Sequence, residues 1–374
     1  MVKVLICPDK FKGSLTASEV CIAIERGIKK TCDECSIEKV PLADGGEGTF
    51  DFLVNHFNGK IIHTEVNDPL FRKIISAYGI SDDGSTAFIE MAKASGLQLV
   101  EKEKRNPLHT TSIGTGELIL HALSNGVKKI ILGIGGSATN DAGIGMASAL
   151  GFQFYDQKGK LLPPIGKSLS QISNIKKTAL ADILNEIEFT VLSDVKNPLS
   201  GKEGAAYVYG RQKGASEADQ KNLDNGLKHF SSIVKSTLNK NAEFPGAGAA
   251  GGLGAGAKIF LNADIKPGIK FIINLSELDQ KIKDSDLIIT GEGKVDEQTF
   301  YGKVVGEVSQ LASQYDKRLI IICGKSEINA DSHNQVQNCS LIQLVGGGVS
   351  EEDAIKEASS LIETKISDLD FHKK

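Results

Sequence analysis

Proline, clusters of positive charge and long apolar runs are all scarce in this chain. There are 9 prolines against 40 glycines in 374 residues, and the formal net charge is −4. No stripe of Lys and Arg is present, so a nucleic-acid partner is not expected, and no helix-turn-helix or basic reading helix is apparent. No apolar run approaches the length of a membrane span, so no membrane partner is expected either. Met1–Ile6 runs directly into polar Asp9-Lys10, which argues against a signal peptide. The six cysteines are scattered, and Cys7, Cys21 and Cys323 fall in apolar patterns, which fits a reduced, cytoplasmic protein. Cys32-Asp33-Glu34-Cys35 has CxxC spacing without a second pair or thioredoxin-like surroundings, and reads as the frayed end of a surface helix. No window supplies a Walker A motif. None of the 7 histidines pairs with Ser or Cys at motif spacing; His63 and His121 read as structural, and a hydrolase triad is not expected.

What is abundant is glycine, and its placement is informative. In Lys129–Gly145 (KIILGIGGSATNDAGIG) a buried strand breaks into Gly133, Gly135 and Gly136, then reopens as a helix through Met146–Leu150. Backbone N–H groups left uncovered by side chains, the Ser137 and Thr139 hydroxyls and the helix's positive end suit an anion, usually phosphate.

The length allows one large core or, more naturally, two. Strand and helix alternate at the start: a strand over Val2–Cys7, a helix capped by Ser14 or Thr16 with Val20, Ile24 and Ile28 on one face, a strand over Ile37–Leu42 and a helix over Phe50–Phe57. Ile61–Val66, Ile74–Ile80 and Ala87–Met91 then read as hairpin-linked strands. Helices are expected over Ser112–Asn125 and Ala218–Leu238, and a strand over Phe189–Leu192. Towards the end, Leu287–Thr290, Leu319–Cys323 and Leu341–Val345 read as strands, Gly291–Asp296 as a loop, and Gly302–Tyr315 and Glu351–Ile366 as helices. The expected fold class is α/β. A Rossmann-like doubly wound domain is formed by both chain ends (1–65 with 282–374), and 66–281 form an inserted α/β domain with glycine-rich loops. Two crossings would make a cleft faced by loops at the strands' carboxyl ends.

Four of those loops repeat one formula of strand, acid with glycine or lysine, and helix. They are Asp9-Lys10-Phe11-Lys12, Asp44-Gly45-Gly46-Glu47-Gly48, Ser193-Asp194-Val195-Lys196-Asn197 and Gly291-Glu292-Gly293-Lys294-Val295-Asp296. Phosphoryl transfer wants this mixture: cations and N–H groups for phosphates, carboxylates for Mg²⁺, and one carboxylate to orient the attacking hydroxyl. Plainer readings stand beside it. Asp44 and Glu47, or Asn140-Asp141, also suit helix caps. Glu292 and Asp296 also suit solvated loops, and Arg211 and Lys213 either bind phosphate or solvate a helix start. Gly133, Gly135 and Ala138 also match the loose GxGxx[GA] fingerprint with Asp156 at the ribose-acid offset, which keeps an NAD-dependent 2-hydroxy-acid dehydrogenase as a rival. The literal GxGxxG at Gly246, Gly248 and Gly251 follows Pro245 and a polar run instead of a strand. A non-catalytic small-molecule or nucleotide sensor would be expected to lose the loop acids, which are all retained here.

Taken together, PDKFKGSLTA (8–17), PLADGGEGT (41–49), TSIGTGEL (111–118), GIGGSATNDAGIGM (133–146), SDVKNPLSG (193–201), PGAGAAGGLG (245–254) and TGEGKVDEQT with YGK (290–303) resemble the two-domain bacterial glycerate kinase family. The resemblance covers nearly the whole chain in order. It departs at Arg211, where the family usually has proline. It implies a transferase: ATP-dependent, Mg²⁺-assisted phosphorylation of D-glycerate, generally to 2-phosphoglycerate, with 3-phosphoglycerate also associated with the family name.

For that reaction Asp194 is the leading base or metal-positioning candidate and Asp296 the second. Lys10, Lys12 and Lys303 are candidates to neutralise phosphate or carboxylate charge, with Lys10 and Lys12 placed in the catalytic set. Asp44, Glu47 and Glu292 are candidates for Mg²⁺. Asp9, Gly135, Gly136, Ser137, Thr139, Asn197, Arg211, Lys213, Lys294 and Lys303 are candidates to bind substrate or nucleotide. Domain closure is expected, with hinges near 65 and 265–285, Gly268 among them. The chain is expected to act as a monomer or homodimer.

Overall fold

A computed structural model describes residues 1–43, 46, 48–300, 303–327 and 338–371. The fold is α/β, and its contacts divide the chain into one unit of residues 1–52 and 268–374 and another of 53–267. The strands, in chain order, are β1 (Lys3–Ile6), β2 (Ser36–Lys39), β3 (Lys60–Asn67), β4 (Lys73–Ile80), β5 (Thr86–Glu90), β6 (Lys129–Gly133), β7 (Phe152–Tyr155), β8 (Asn174–Lys177), β9 (Glu188–Leu192), β10 (Asp264–Lys266), β11 (Leu287–Val295), β12 (Arg318–Ser326) and β13 (Cys339–Gln343).

The unit made from both chain ends is Rossmann-like. Its sheet runs β13-β12-β11-β1-β2, with every pairing parallel. Parallel strands covered on both faces need continuous apolar runs, and Val4-Leu5-Ile6, Leu287-Ile288-Ile289 and Leu319–Cys323 supply them, all buried. Strand order reverses between β1 and β11, the position where loops diverge and ligands gather in open α/β sheets. The helix Ala17–Thr31 begins with a capping box: Thr16 Oγ1 accepts from Glu19 N–H while the Glu19 carboxylate accepts from Thr16 N–H. The Thr16 interaction also holds the Glu19 carboxyl below its ordinary range. Val20, Ile24 and Ile28 are buried in the core of this unit with Ile362 and Ile366.

Three expectations are corrected here. Gly291–Asp296 is not wholly a loop, because β11 continues through Val295 and pairs with β12 as far as Ser326. Glycine at 291 marks a close approach instead: a Cβ there would lie 2.2 Å from the Ile322 carbonyl oxygen. The last helix is two, Glu351–Lys356 and Ala358–Ser367. Cys32, at the end of the helix Ala17–Thr31, forms a disulfide with Cys35, so this pair is not two free thiols.

The second unit carries a six-stranded mixed sheet, β10-β9-β6-β5-β4-β3, and a separate antiparallel pair, β7-β8. β5, β6, β9 and β10 are parallel, whereas β3, β4 and β5 form the expected meander. The register aligns Glu90 with Gly133 and Gly133 with Leu192, and β10 runs alongside to pair Lys266 with Leu192. The chain therefore leaves four parallel strands along one sheet edge. The glycine-dense stretch after Pro245 enters the helix Ala249–Phe260, in which Ala250, Gly251 and Gly252 are left-handed.

One contact in the first unit is tight enough to decide a substitution. A Cβ on Gly27 would lie 2.7 Å from both the Glu363 carbonyl oxygen and Ile366 Cβ. Alanine gains about 1 kcal/mol of helix propensity over glycine, but overpacking a fixed contact costs about 1–3 kcal/mol. Gly27→Ala is expected to lower the melting temperature, and Gly27→Val to lower it further; an unchanged or raised melting temperature would show that the helix Ala358–Ser367 gives way freely.

Candidate functional site

In the first unit the loops after β1 and along β11 are held side by side. The Cys7 N–H donates to the Ile289 carbonyl and the Asp9 N–H to the Gly291 carbonyl, both at 2.8 Å, so the ladder outlasts β1 itself. Gly293 permits the next approach, since a Cβ would stand 3.2 Å from the Lys12 nitrogen. Asp9 is buried and its carboxylate accepts from the Lys10 N–H at 2.7 Å. The Phe11 and Leu15 backbones exchange hydrogen bonds around left-handed Gly13, which leaves Lys12 on an exposed turn.

Asp9, Lys10 and Lys12 thus neighbour the strand that carries Glu292, Lys294 and, just past its end, Asp296. Glu292 is buried opposite Cys323; burial, assisted by the Glu292 charge, pushes the Cys323 thiol up to about 12. The Asp296 backbone closes a turn with Thr299, and Lys303 Nζ lies 3.9 Å from Asp296 Oδ1. Lys294 is turned to Glu327, 2.8 Å away, and that carboxylate raises its ammonium above its ordinary range. Asp44 and Glu47 lie outside the described residues.

In the second unit the loop after β6 lies along 91–97: the Met91 N–H donates to the Gly133 carbonyl, Leu97 to Gly136, and Ala138 to Ser95. Gly135 and Gly136 are exposed, and among the described residues their N–H groups have no backbone acceptor. Beyond them the loop turns inward, and Ser137, Thr139, Asn140 and Asp141 are buried. The Asp141 carboxylate accepts from the Ser112 N–H and hydroxyl (each 2.8 Å), the Gly143 N–H (3.1 Å) and the Gly145 N–H (3.2 Å). Burial raises its pKa and these bonds oppose the rise. The positive end of the short helix Ile144–Ala149 therefore faces the chain's own carboxylate, which corrects the expectation that it faces an external anion.

Lys213, whose role was open, is buried at 2% exposure; Nζ donates to Ser137 Oγ and to the Thr139 carbonyl, both at 2.7 Å. Burial lowers its pKa to about 7 against the opposing pull of Asp141. Arg211, two residues away, is exposed and, among the described residues, pairs with Glu217, 3.8 Å off and exposed itself. Asp194 is exposed just past β9. Asn197 organises its surroundings: it accepts from the Tyr209 hydroxyl (2.7 Å), donates to the Glu203 carbonyl (2.8 Å), and its own carbonyl accepts from Gly246 and Gly248. Asp156 closes its own turn by accepting from Lys158 and Lys160 N–H groups, which is ordinary turn chemistry.

The structure thus gathers Ser137, Thr139 and Lys213 in one cluster, sets the segment of Asp9, Lys10 and Lys12 beside the strand that carries Glu292, places Asp296 near Lys303, and leaves Arg211 and Lys294 in surface ion pairs. The part played by Asp141 and Ser112 is the feature that sequence reasoning underestimated. Its only local signal is an Asp two residues before a glycine, the spacing of an Asx turn.

Comparison with known proteins identifies the family. The model of the glycerate kinase family matches residues 4–370. A glycerate kinase of Bacillus cereus is 45% identical over 363 residues, covering 97% of this chain and 95% of the relative. The glycerate 2-kinase of Escherichia coli K12 is 47% identical over 324 residues, covering 86% and 85%. A Salmonella typhimurium LT2 protein whose crystal structure is assigned as glycerate kinase 2 superposes with a TM-score of 0.87 at 41% identity, covering 98% of this chain and 96% of that one. With the family model spanning nearly every residue and relatives alike over almost their full length, the chain belongs to the glycerate kinase family.

Proposed function

We propose that the protein transfers the γ-phosphoryl group of ATP to D-glycerate, with 2-phosphoglycerate as the product and 3-phosphoglycerate as the alternative. The observation that carries this reading is the family match over residues 4–370, joined to acid- and glycine-bearing loops at the carboxyl ends of parallel strands. The glycerate hydroxyl is far too weak an acid to ionise beforehand. A carboxylate instead orients it and takes its proton as the new O–P bond forms and the bond from the γ-phosphorus to its bridging oxygen breaks. Asp194 is exposed just past β9 and is the first candidate; Asp296 is the second. The exposed Gly135 and Gly136 N–H groups suit phosphate oxygens. Lys10, Lys12 and Lys303 offset the charge of phosphate or of the substrate carboxylate.

Magnesium suits these residues, because their oxygen donors are hard and the ion needs only one or two carboxylates when it also binds phosphates. Among the described residues no group of three or more His, Cys, Asp or Glu is gathered for a metal, so a site held by protein alone is not what they offer. Glu292 remains the described candidate, beside Asp44 and Glu47. The ion would neutralise charge on the transferred phosphoryl group.

Phosphorus NMR of the product from D-glycerate and Mg·ATP tests the reaction and its position together. A phosphate on the secondary carbon couples to one proton and gives a doublet, which is the expected signal; a triplet assigns the primary hydroxyl. Appearance of NADH from glycerate without release of ADP would instead establish the dehydrogenase. Asp194→Ala or Asp296→Ala is expected to lower turnover by about 10²–10⁴-fold if the residue handles the proton. Near-normal turnover in both variants would remove both from that role.

A further inference from the structure

We infer that Lys213 is a positioning residue: its buried ammonium anchors Ser137 and Thr139 so that the loop presents Gly135 and Gly136, and it does not itself bind phosphate. The inference rests on the reading of that loop as the phosphate-side loop. Its geometry is specific. Both donated bonds are 2.7 Å long, one to a side-chain oxygen and one to a carbonyl, and they connect positions more than 70 residues apart in sequence. The side chain is 2% exposed, so the ammonium is committed inward while Gly135 and Gly136 remain exposed.

The backbone around Lys213 is equally constrained. Gly214 is left-handed, and a Cβ there would lie 2.1 Å from the Arg105 carbonyl oxygen, which holds the lysine's base against the 105 segment. On the far side of the loop Gly251 is left-handed and would place a Cβ 2.0 Å from the Thr139 carbonyl oxygen, the same atom that accepts from Lys213. Thr139 is thus fixed from two sides. Asp141 fixes the end of the loop through Ser112, Gly143 and Gly145. The segment from Ser137 to Gly145 is therefore clamped by one buried cation and one buried anion, and its exposed glycines lie immediately before the clamp.

The charged groups near this ammonium are few. Asp141 lies on the loop itself and favours the charged form. The Arg105 guanidinium donates to the Leu97 and Val100 carbonyls. Arg211 and Glu217, on the lysine's own side, are exposed. Between about pH 7 and the ordinary 10.5, the unfolded chain holds a proton on this lysine that the folded chain has lost. This group therefore makes stability rise with pH across that window. The two anchoring bonds lose their charge assistance as pH rises through about 7, so nucleotide affinity is expected to fall there and then level off, while stability goes on rising. A lysine with a merely structural role would produce only the first trend.

The test is Lys213→Met in the full-length protein, with circular dichroism and melting as checks of folding. The expected result is a folded variant with kcat/KM for ATP lowered by about 100-fold, the scale of a loss of positioning. Its residual nucleotide affinity should be flat between pH 6.5 and 9, where the wild type declines, and its melting temperature should lack the wild-type rise with pH. Ser137→Ala, which removes one anchor and keeps the lysine, is expected to move kcat/KM in the same direction by a smaller factor and serves if the methionine variant does not fold. Wild-type kinetics in a folded Lys213→Met protein, or in Ser137→Ala where that variant must serve, would overturn the inference. Wild-type protein that releases no ADP with glycerate would instead overturn the kinase reading, while the stability trend would still report the buried lysine.

Discussion

The structure of the second unit depends on how a buried charge is accommodated beside a loop that must stay open. Asp141 carries a carboxylate into the interior, where an ion is costly unless its oxygens are bonded. Two N–H groups of the helix Ile144–Ala149 region and both donors of Ser112 meet that need. The carboxylate thereby joins two segments that enter different helices. Lys213 answers the same demand with opposite sign from a third segment. Neither group can be removed alone without leaving the partners' bonds unmade, which is why buried charges of this kind define one loop conformation more effectively than they add net stability.

Several of the glycines answer a constraint of close approach. At Gly291, Gly324, Gly248 and Gly251 a Cβ would lie between 2.0 and 2.6 Å from a backbone oxygen of another segment. Only Gly251 of these is left-handed; the others are glycine because backbone meets backbone. Backbone that approaches backbone this closely leaves no room for a side chain between the two segments.

The elements carried by local rules were legible in the sequence. The first strand, the Thr16 cap, the Val20–Ile24–Ile28 face and the meander of β3, β4 and β5 all follow from periodicity and capping, which involve residues a few positions apart. What escaped was set by distant partners. β11 runs on past Gly291 because β12 lies alongside to pair with it, and no feature of residues 291–295 announces that. The glycines there signal a turn in one sequence and a close neighbour in another. Likewise Arg211 and Lys213 are equivalent as a sequence pair, yet one is exposed on the surface and the other is buried on Ser137. Which of two nearby cations turns inward depends on a cavity built by a loop more than 70 residues earlier, and local pattern has no access to it.

Ionisable groups with displaced pKa values are commonly taken as markers of reactive sites. Among the displaced groups of this unit, Asp141 and Lys213 are deeply buried, and both are engaged with loop atoms. A reagent for a small hydroxy acid must be reached by it, and an enclosed ammonium cannot be. Asp194, Gly135 and Gly136 are exposed and meet that requirement of access instead. Displacement here records the effort of holding a frame, and accessibility separates the frame from the groups proposed to touch substrate. For a phosphoryl transfer the distinction is physical: charge develops on the moving group, and it is stabilised best by dipoles that already point at it and need not reorganise. Buried charges that fix those dipoles in advance contribute through geometry, at a distance from the reacting atoms.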